Sequence, residues 1–126
     1  MTNPFQHATE SYGAVRPSYP CEAIDTILAG EKASEITIAD VGAGTGKLTA
    51  ELLRRGAKVI AVEPAQAMRE QLVKLLGHDR NLQLVDACAE ATGLEDASVD
   101  RVVFGQSWHW ADPPVAGQEM NKIVRP

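Results

Sequence analysis

Two cysteines in 126 residues, Cys21 and Cys88, are far apart and form no CxxC pair, which excludes a disulfide framework and a zinc knuckle. Free thiols in a reducing compartment are expected instead. No apolar run approaches the about 18 residues of a membrane span. The opening Met1-Thr2-Asn3-Pro4-Phe5-Gln6 lacks the charged start and apolar stretch of a secretory leader, so a cytoplasmic location and no membrane association are expected. Basic residues are also scarce: 12 Lys and Arg stand against 17 Asp and Glu, for a net charge of −5, and none of them cluster. That balance argues against a nucleic-acid partner, whose phosphates demand a concentrated basic surface. A small-molecule or protein substrate is favoured. With 44% hydrophobic and 23% charged residues the chain reads as one globular domain, residues 1–126, able to bury a core.

What the chain does have is a strand, loop and helix pattern from Ile36 to Thr49. A β-branched and apolar run ends at Asp40-Val41-Gly42-Ala43-Gly44-Thr45-Gly46, after which Lys47-Leu48-Thr49 opens a helical spacing. Glycines at alternate positions let the backbone take positive φ and let a ligand approach the main chain closely. A dinucleotide fingerprint would be Gly-x-Gly-x-x-Gly, and the carboxylate of Asp40 would repel a pyrophosphate. A phosphate-binding P-loop needs four residues between its glycines and a Ser or Thr after its Lys, whereas Leu48 follows Lys47. A nicotinamide-dependent oxidoreductase is therefore disfavoured. The next apolar run, Lys58 to Val62, ends in Glu63, which stands 63 − 44 = 19 residues beyond the middle glycine. An acidic residue there can accept hydrogen bonds from a ribose diol. The ligand should combine a ribose with a cationic, phosphate-free tail, and S-adenosylmethionine has both.

Asp40-Val41-Gly42-Ala43-Gly44-Thr45-Gly46 and Val62-Glu63-Pro64 resemble the first two motifs of the class I S-adenosylmethionine-dependent methyltransferases. Ala89 to Asp100 is similar to that family's segment between strands three and four, and Gln118 to Pro126 resembles the helix before its fifth strand. The resemblance runs from about Tyr12 to the end of the chain. It implies a methionine half held by Asp40, Gly42, Ala43, Gly44 and Gly46, a ribose held by Glu63 beside Pro64, and an adenine near Cys88 and Ala89. Many family members place an acidic residue where Cys88 stands. A thiol is a weak acceptor, so adenine recognition should rest on backbone groups near Ala89 and on Asp86 or Glu90, with Cys88 itself a small buried hydrophobe. Arg16, in the leader Tyr12 to Pro20, could reach the cofactor's carboxylate with its planar fork.

Elsewhere the periodicities predict a helix over about Pro20 to Ala29 with Ala23, Ile24, Ile27 and Leu28 inward, and a helix after the glycine loop with Leu48, Leu52 and Leu53 inward and Gly56 as its cap. A helix opened by Pro64 carries Met68, Leu72, Leu75 and Leu76 and is closed by Gly77. Short strands follow at Asn81 to Val85 and Ser98 to Phe104. The fourth strand ends in Gly105-Gln106-Ser107-Trp108-His109-Trp110, at the carboxyl end of the sheet where open α/β folds bind ligands. Gln106 joins the expected cofactor contacts, and His109 is the candidate general base, its ordinary pKa of about 6.5 suiting that task. His109 and Asp112 make an incomplete metal set, and no metal is expected. A last helix, Pro113 to Val124, turns Ala116, Met120, Ile123 and Val124 inward.

The expected fold is α/β: a Rossmann-like parallel sheet in the order 3-2-1-4 with helices on both faces, lacking the family's strands five to seven. The implied reaction is methyl transfer from S-adenosylmethionine to a small molecule, with a cofactor-binding fragment without activity as the rival. Without a fifth strand, Val102, Val103 and Phe104 would lie on an unprotected edge. That edge predicts a homodimer through strand four, or poor solubility of the isolated chain.

Overall fold

The computed structural model describes residues 21–104 and 113–126. Within them β1 (Thr37–Val41), β2 (Lys58–Val62), β3 (Leu82–Val85) and β4 (Arg101–Phe104) form one sheet in the order β3-β2-β1-β4. Every pair is parallel, with Ile38 opposite Val59 on one side and Arg101 on the other. The helices are α1 (Cys21–Leu28), α2 (Lys47–Arg54), α3 (Gln66–Leu76) and α4 (Pro113–Ile123), with one turn of 3-10 helix at Ala33–Glu35. The expected strand order and the helices on both faces are present.

Two apolar layers sandwich the sheet, as the period of a β-strand requires. Ile38 and Val59 face Ile24 and Leu28 of α1 and Leu48, Leu52 and Leu53 of α2. Ala39, Val41 and Val62 face Ala116, Met120 and Ile123 of α4. Since β1 alternates, Asp40 shares the α2 side with Ile38, and this places its carboxylate beneath the helix that follows the glycine loop. Helix α2 ends in a tight cap: Gly56 has φ 96°, its amide donates to Leu53, and the next amide, of Ala57, donates to Leu52. Only a glycine takes that φ without strain.

Four expectations are corrected. Helix α3 begins at Gln66, after Pro64 and Ala65, and among its expected core residues only Leu72 is fully buried, while Met68 and Leu75 are 42% and 61% exposed. Leu72 and Leu76 of this helix meet the glycine loop at Gly46, and Leu76 is only partly buried against the core, so its core face narrows to Leu72 with part of Leu76. Gly77 closes the helix as expected, with an ordinary right-handed φ of −62°. The fourth strand starts at Arg101: the Asp100 amide still bonds β1 at Thr37, but Val99 before it is engaged elsewhere. Val99 forms a parallel bridge with Val124, donating to Ile123 and accepting from Arg125. Cys88, expected inside, is exposed.

Asp100 seals the lower end of the β1 and β4 pair. Its Oδ2 accepts the Thr37 amide at 2.8 Å, its Oδ1 meets the Arg125 guanidinium at 2.8 Å, and its own amide donates to the Thr37 carbonyl. The Thr37 amide, with the Arg125 charge, holds the Asp100 carboxyl below the usual carboxylate range. Val124 and Arg125 thus lie along the start of the β4 edge. Among the described residues β1 is the only strand paired with β4.

Candidate functional site

At the carboxyl ends of β1 and β2 the chain folds back on itself. The amides of Gly42 and Ala43 both donate to the Val62 carbonyl, at 2.7 and 3.2 Å, and the Gly46 amide closes a turn on the Ala43 carbonyl at 3.0 Å. This path takes positive φ at each alternate glycine: 70° at Gly42, 61° at Gly44 and 90° at Gly46. The last two glycines differ in what surrounds them. A Cβ on Gly46 would lie 3.0 Å from Leu72 Cγ and 3.2 Å from Leu76 Cδ1, so the loop rests on α3 there. Among the described residues a Cβ on Gly44 would meet nothing within 4 Å, so they leave room above the loop there. Gly46 also heads α2 without lending a side chain to its first amides.

Under this loop lie two carboxylates. Asp40 is fully buried; its Oδ2 accepts the Thr49 hydroxyl at 2.6 Å, while Oδ1 has no hydrogen-bond partner among the described residues. Burial pushes its pKa up to about 7, the Thr49 hydroxyl pulling it back and the nearby Glu63 charge adding to the rise. Desolvation disfavours an ionised carboxylate, and a second negative charge does the same. Glu63 is 7% exposed, and its two oxygens accept the amides of Gly44 at 2.8 Å and Ala65 at 2.9 Å. The interval of 19 residues seen in the sequence is thus a direct hydrogen bond between Glu63 and the middle glycine. An ionised carboxylate has about four acceptor positions, so Glu63 can serve the loop and still receive further donors.

Pro64 is exposed beside this pair, and Ala43 is half-buried within the loop. On the adenine side expected from the sequence, Ala89 is buried and Cys88 exposed, and the Ala91 amide returns to the Cys88 carbonyl at 3.2 Å. An exposed thiol there replaces the apolar wall expected of Cys88, because the short turn points this residue outward while Ala89 takes the inward position. Arg16, Gln106 and His109 lie outside the described residues, as do Tyr12, Tyr19, Trp108, Trp110 and Asp112.

Three features are absent from the sequence-based expectations. Thr49 is the hydroxyl donor to Asp40, on the same face of α2 as Leu52 and Leu53. Arg69, in the first turn of α3, donates to the carbonyls of Glu63 and Pro64 and to Asp86. Glu119 of α4 is buried; its Oε2 accepts both the amide and the hydroxyl of Thr92, tying the segment after β3 to that helix. Burial works against the charge on Glu119, but the Thr92 donors and Lys122 hold its carboxyl below the ordinary range. Of the three, only Thr49 carries a signal in the sequence: helical spacing puts it on the inward face with Leu52 and Leu53, where a polar residue needs a partner.

The arrangement suits a cationic, ribose-bearing ligand. A buried carboxylate with one oxygen unpartnered among the described residues favours positive charge, those residues leave room above Gly44, and Glu63 retains acceptors for hydroxyls. Comparisons with known proteins agree with this chemistry. A family model described as a methyltransferase domain matches residues 39–126. An uncharacterized methyltransferase of Mycobacterium tuberculosis is 41% identical over the whole of this chain, which spans 49% of that protein. The Saccharomyces cerevisiae protein named Probable S-adenosylmethionine-dependent methyltransferase CRG1 is 29% identical over 90% of this chain and 40% of its own length. Among solved structures, a methyltransferase ascribed to an antibiotic biosynthesis pathway of Anabaena variabilis superimposes with a TM-score of 0.71 at 35% identity, over 82% of this chain and 40% of that one. The chain spans about half the length of the curated relatives it matches. From its glycine loop to its last residue, this chain belongs to the methyltransferase-domain family.

Proposed function

We propose that the protein binds S-adenosylmethionine and takes part in methyl transfer to a small-molecule acceptor. The observation that carries this reading is the pair of carboxylates, Asp40 and Glu63, set under a glycine loop that offers no phosphate-binding motif. The loop from Gly42 to Gly46, with Asp40 below it, would hold the cationic methionine half. Glu63 would accept from the ribose, and backbone groups around Ala89 would meet the adenine. When bound, the cofactor supplies an activated methyl group for in-line displacement by a nucleophile. The protein's share in such a reaction is mainly to position the partners and exclude water. Arg16 and Gln106 are proposed as further cofactor contacts, and His109 as the base for an acceptor that must lose a proton.

A net charge of −5 and a relative ascribed to antibiotic biosynthesis support a small acceptor over a nucleic acid. Two exposed free cysteines suit a reducing cytoplasm. Calorimetry is expected to show S-adenosylhomocysteine binding and no displacement by a nicotinamide dinucleotide. Displacement by the dinucleotide would overturn the cofactor assignment. With a productive acceptor in hand, His109→Gln is expected to lower turnover and remove a limb of the pH profile while leaving cofactor affinity unchanged. Unchanged turnover would leave His109 outside the chemistry.

The second reading is cofactor binding without methyl transfer. Binding of the cofactor in a chain that transfers no methyl group, alongside transfer by a full-length relative to the same acceptor, would favour it. A homodimer through β4, whose one strand neighbour among the described residues is β1, is the accompanying proposal. Sedimentation is expected to show mass rising with concentration, and a monomer at high concentration would overturn the dimer.

A further inference from the structure

One side chain of the described residues reaches two successive carbonyls of the segment that carries Glu63, and the main chain of the same residue takes the next as the helix begins. Arg69 Nη1 lies 3.0 Å from the Glu63 carbonyl and 2.7 Å from that of Pro64, and the Arg69 amide donates to the Ala65 carbonyl at 3.0 Å. Nη1 also lies 3.0 Å from Asp86 Oδ1, just past the end of β3, so its two protons are shared among three acceptors. The Glu63 amide donates to the Val85 carbonyl at 3.0 Å, so the ends of β2 and β3 are joined by both main chain and side chain. The Arg69 side chain is 20% exposed against 68% for Asp86, which makes the arginine the covered member of the pair.

Its position in the helix makes this arrangement unusual. Arg69 sits in the first turn of α3, where the helix dipole disfavours a positive charge. The carbonyls of Glu63 and Pro64 and the carboxylate of Asp86 offset that cost. On the other side of the same segment, the Glu63 carboxylate is held by the Gly44 and Ala65 amides. The backbone of residues 63–65 is therefore fixed through its carbonyls by Arg69, and the carboxylate it carries is aimed by that fixation.

We propose that Arg69 is a positioning residue for ribose recognition: it clamps the Glu63 to Ala65 turn so that the Glu63 carboxylate discriminates a ribose from a deoxyribose. The inference rests on the cofactor reading above and adds to it the residue that sets the sugar preference. Arg69 itself touches no ligand in this account. Asp86 orients it, the exposed carboxylate supplying the charge partner of the covered guanidinium.

The test compares the affinity of the 126-residue chain for S-adenosylhomocysteine and for its 2′-deoxyadenosyl counterpart, with melting temperature followed in parallel. The unsubstituted chain is expected to prefer the ribose form by about tenfold or more, the scale of a hydrogen bond to a charged group. Arg69→Gln is expected to collapse that preference by weakening the ribose ligand alone, and Arg69→Lys, which keeps charge and donors on a different head group, to restore part of it. A role in stability alone would lower the melting temperature and leave the ratio unchanged; that result overturns the proposal. Should Arg69→Gln fail to fold, Asp86→Asn and Arg69→Lys carry the test. A narrowed ratio in both supports the clamp, and a wild-type ratio in either overturns it. Binding by the unsubstituted chain with no ribose preference overturns it too, while no binding of either ligand overturns the cofactor reading itself.

Discussion

Raising the pH from about 4 to about 7 is expected to cost the ligand-free chain stability through Asp40, and Asp40→Asn is expected to remove that loss. The carboxyl of Asp40 ionises at 3.8 when unfolded and at about 7 in the fold, chiefly because it is buried. A raised pKa means that the folded state holds the proton more tightly. Its contribution is therefore complete below the unfolded value, shrinks across the interval and is gone above about 7. At ~1.4 kcal/mol per unit the change is on the order of 4 kcal/mol. Asp100 and Glu119, whose carboxyls are held low, act in the opposite sense and lose their contributions in acid. Both proteins carry them, so they cancel when the Asn variant is compared with the parent. Urea unfolding at several pH values should show the difference moving in the variant's favour up to about pH 7 and then levelling. A difference that is flat with pH would overturn this account of Asp40.

The same group links binding to protons. A sulfonium or ammonium brought near Asp40 favours the charged carboxylate, so cofactor uptake near neutrality is expected to release a proton and to tighten as pH rises. Calorimetry in two buffers of different ionisation enthalpy reads that proton directly. Equal apparent enthalpies near pH 7 would place the cationic end of the ligand away from Asp40.

Glu63→Ala is expected to weaken S-adenosylhomocysteine binding by about 1 to 3 kcal/mol and to lower stability as well. The affinity loss comes from the missing acceptor for the ribose. The stability loss comes from the Gly44 and Ala65 amides, which would lose the partner that holds the loop to the end of β2. Glu63→Gln separates the two, since its amide oxygen can keep one of those contacts while the negative charge is gone. Unchanged affinity in Glu63→Ala would remove this residue from the sugar site.

The sheet is legible in the sequence because parallel strands covered on both faces are written as unbroken apolar runs, of which Val59 to Val62 is one. The glycine loop is legible for a similar reason: its alternate residues must take positive φ, and the chain has glycine at each. Glu63 is marked by its distance from Gly44, which the fold turns into a bond. What stays hidden depends on partners far away in sequence. Nothing near Glu119 announces Thr92, 27 residues earlier, and nothing near Arg69 announces Asp86. The α3 stripe misleads because spacing reports which residues share a helix face, not how much sheet lies beneath it. Met68 and Leu75 therefore read as core and stand in solvent. Cys88 misleads in the converse way, since residue type reports preference while the turn from Cys88 to Ala91 decides direction. The start of β4 shifts because Val99 is apolar enough for a strand but is bridged to Val124 instead.

The contact between Gly46 and α3 gives Leu72 an unusual standing. This leucine is fully buried and belongs to the packing of the domain, yet its Cγ sits where a side chain on Gly46 would have to go. A bulkier residue at 72 would push on the loop from below, and a smaller one would let it sag. In a genetic screen for lost ligand binding, substitutions at Leu72 should therefore surface beside those at Gly44 and Glu63, and a map of hits drawn on the sequence would outline a pocket one layer deeper than the surface any ligand touches.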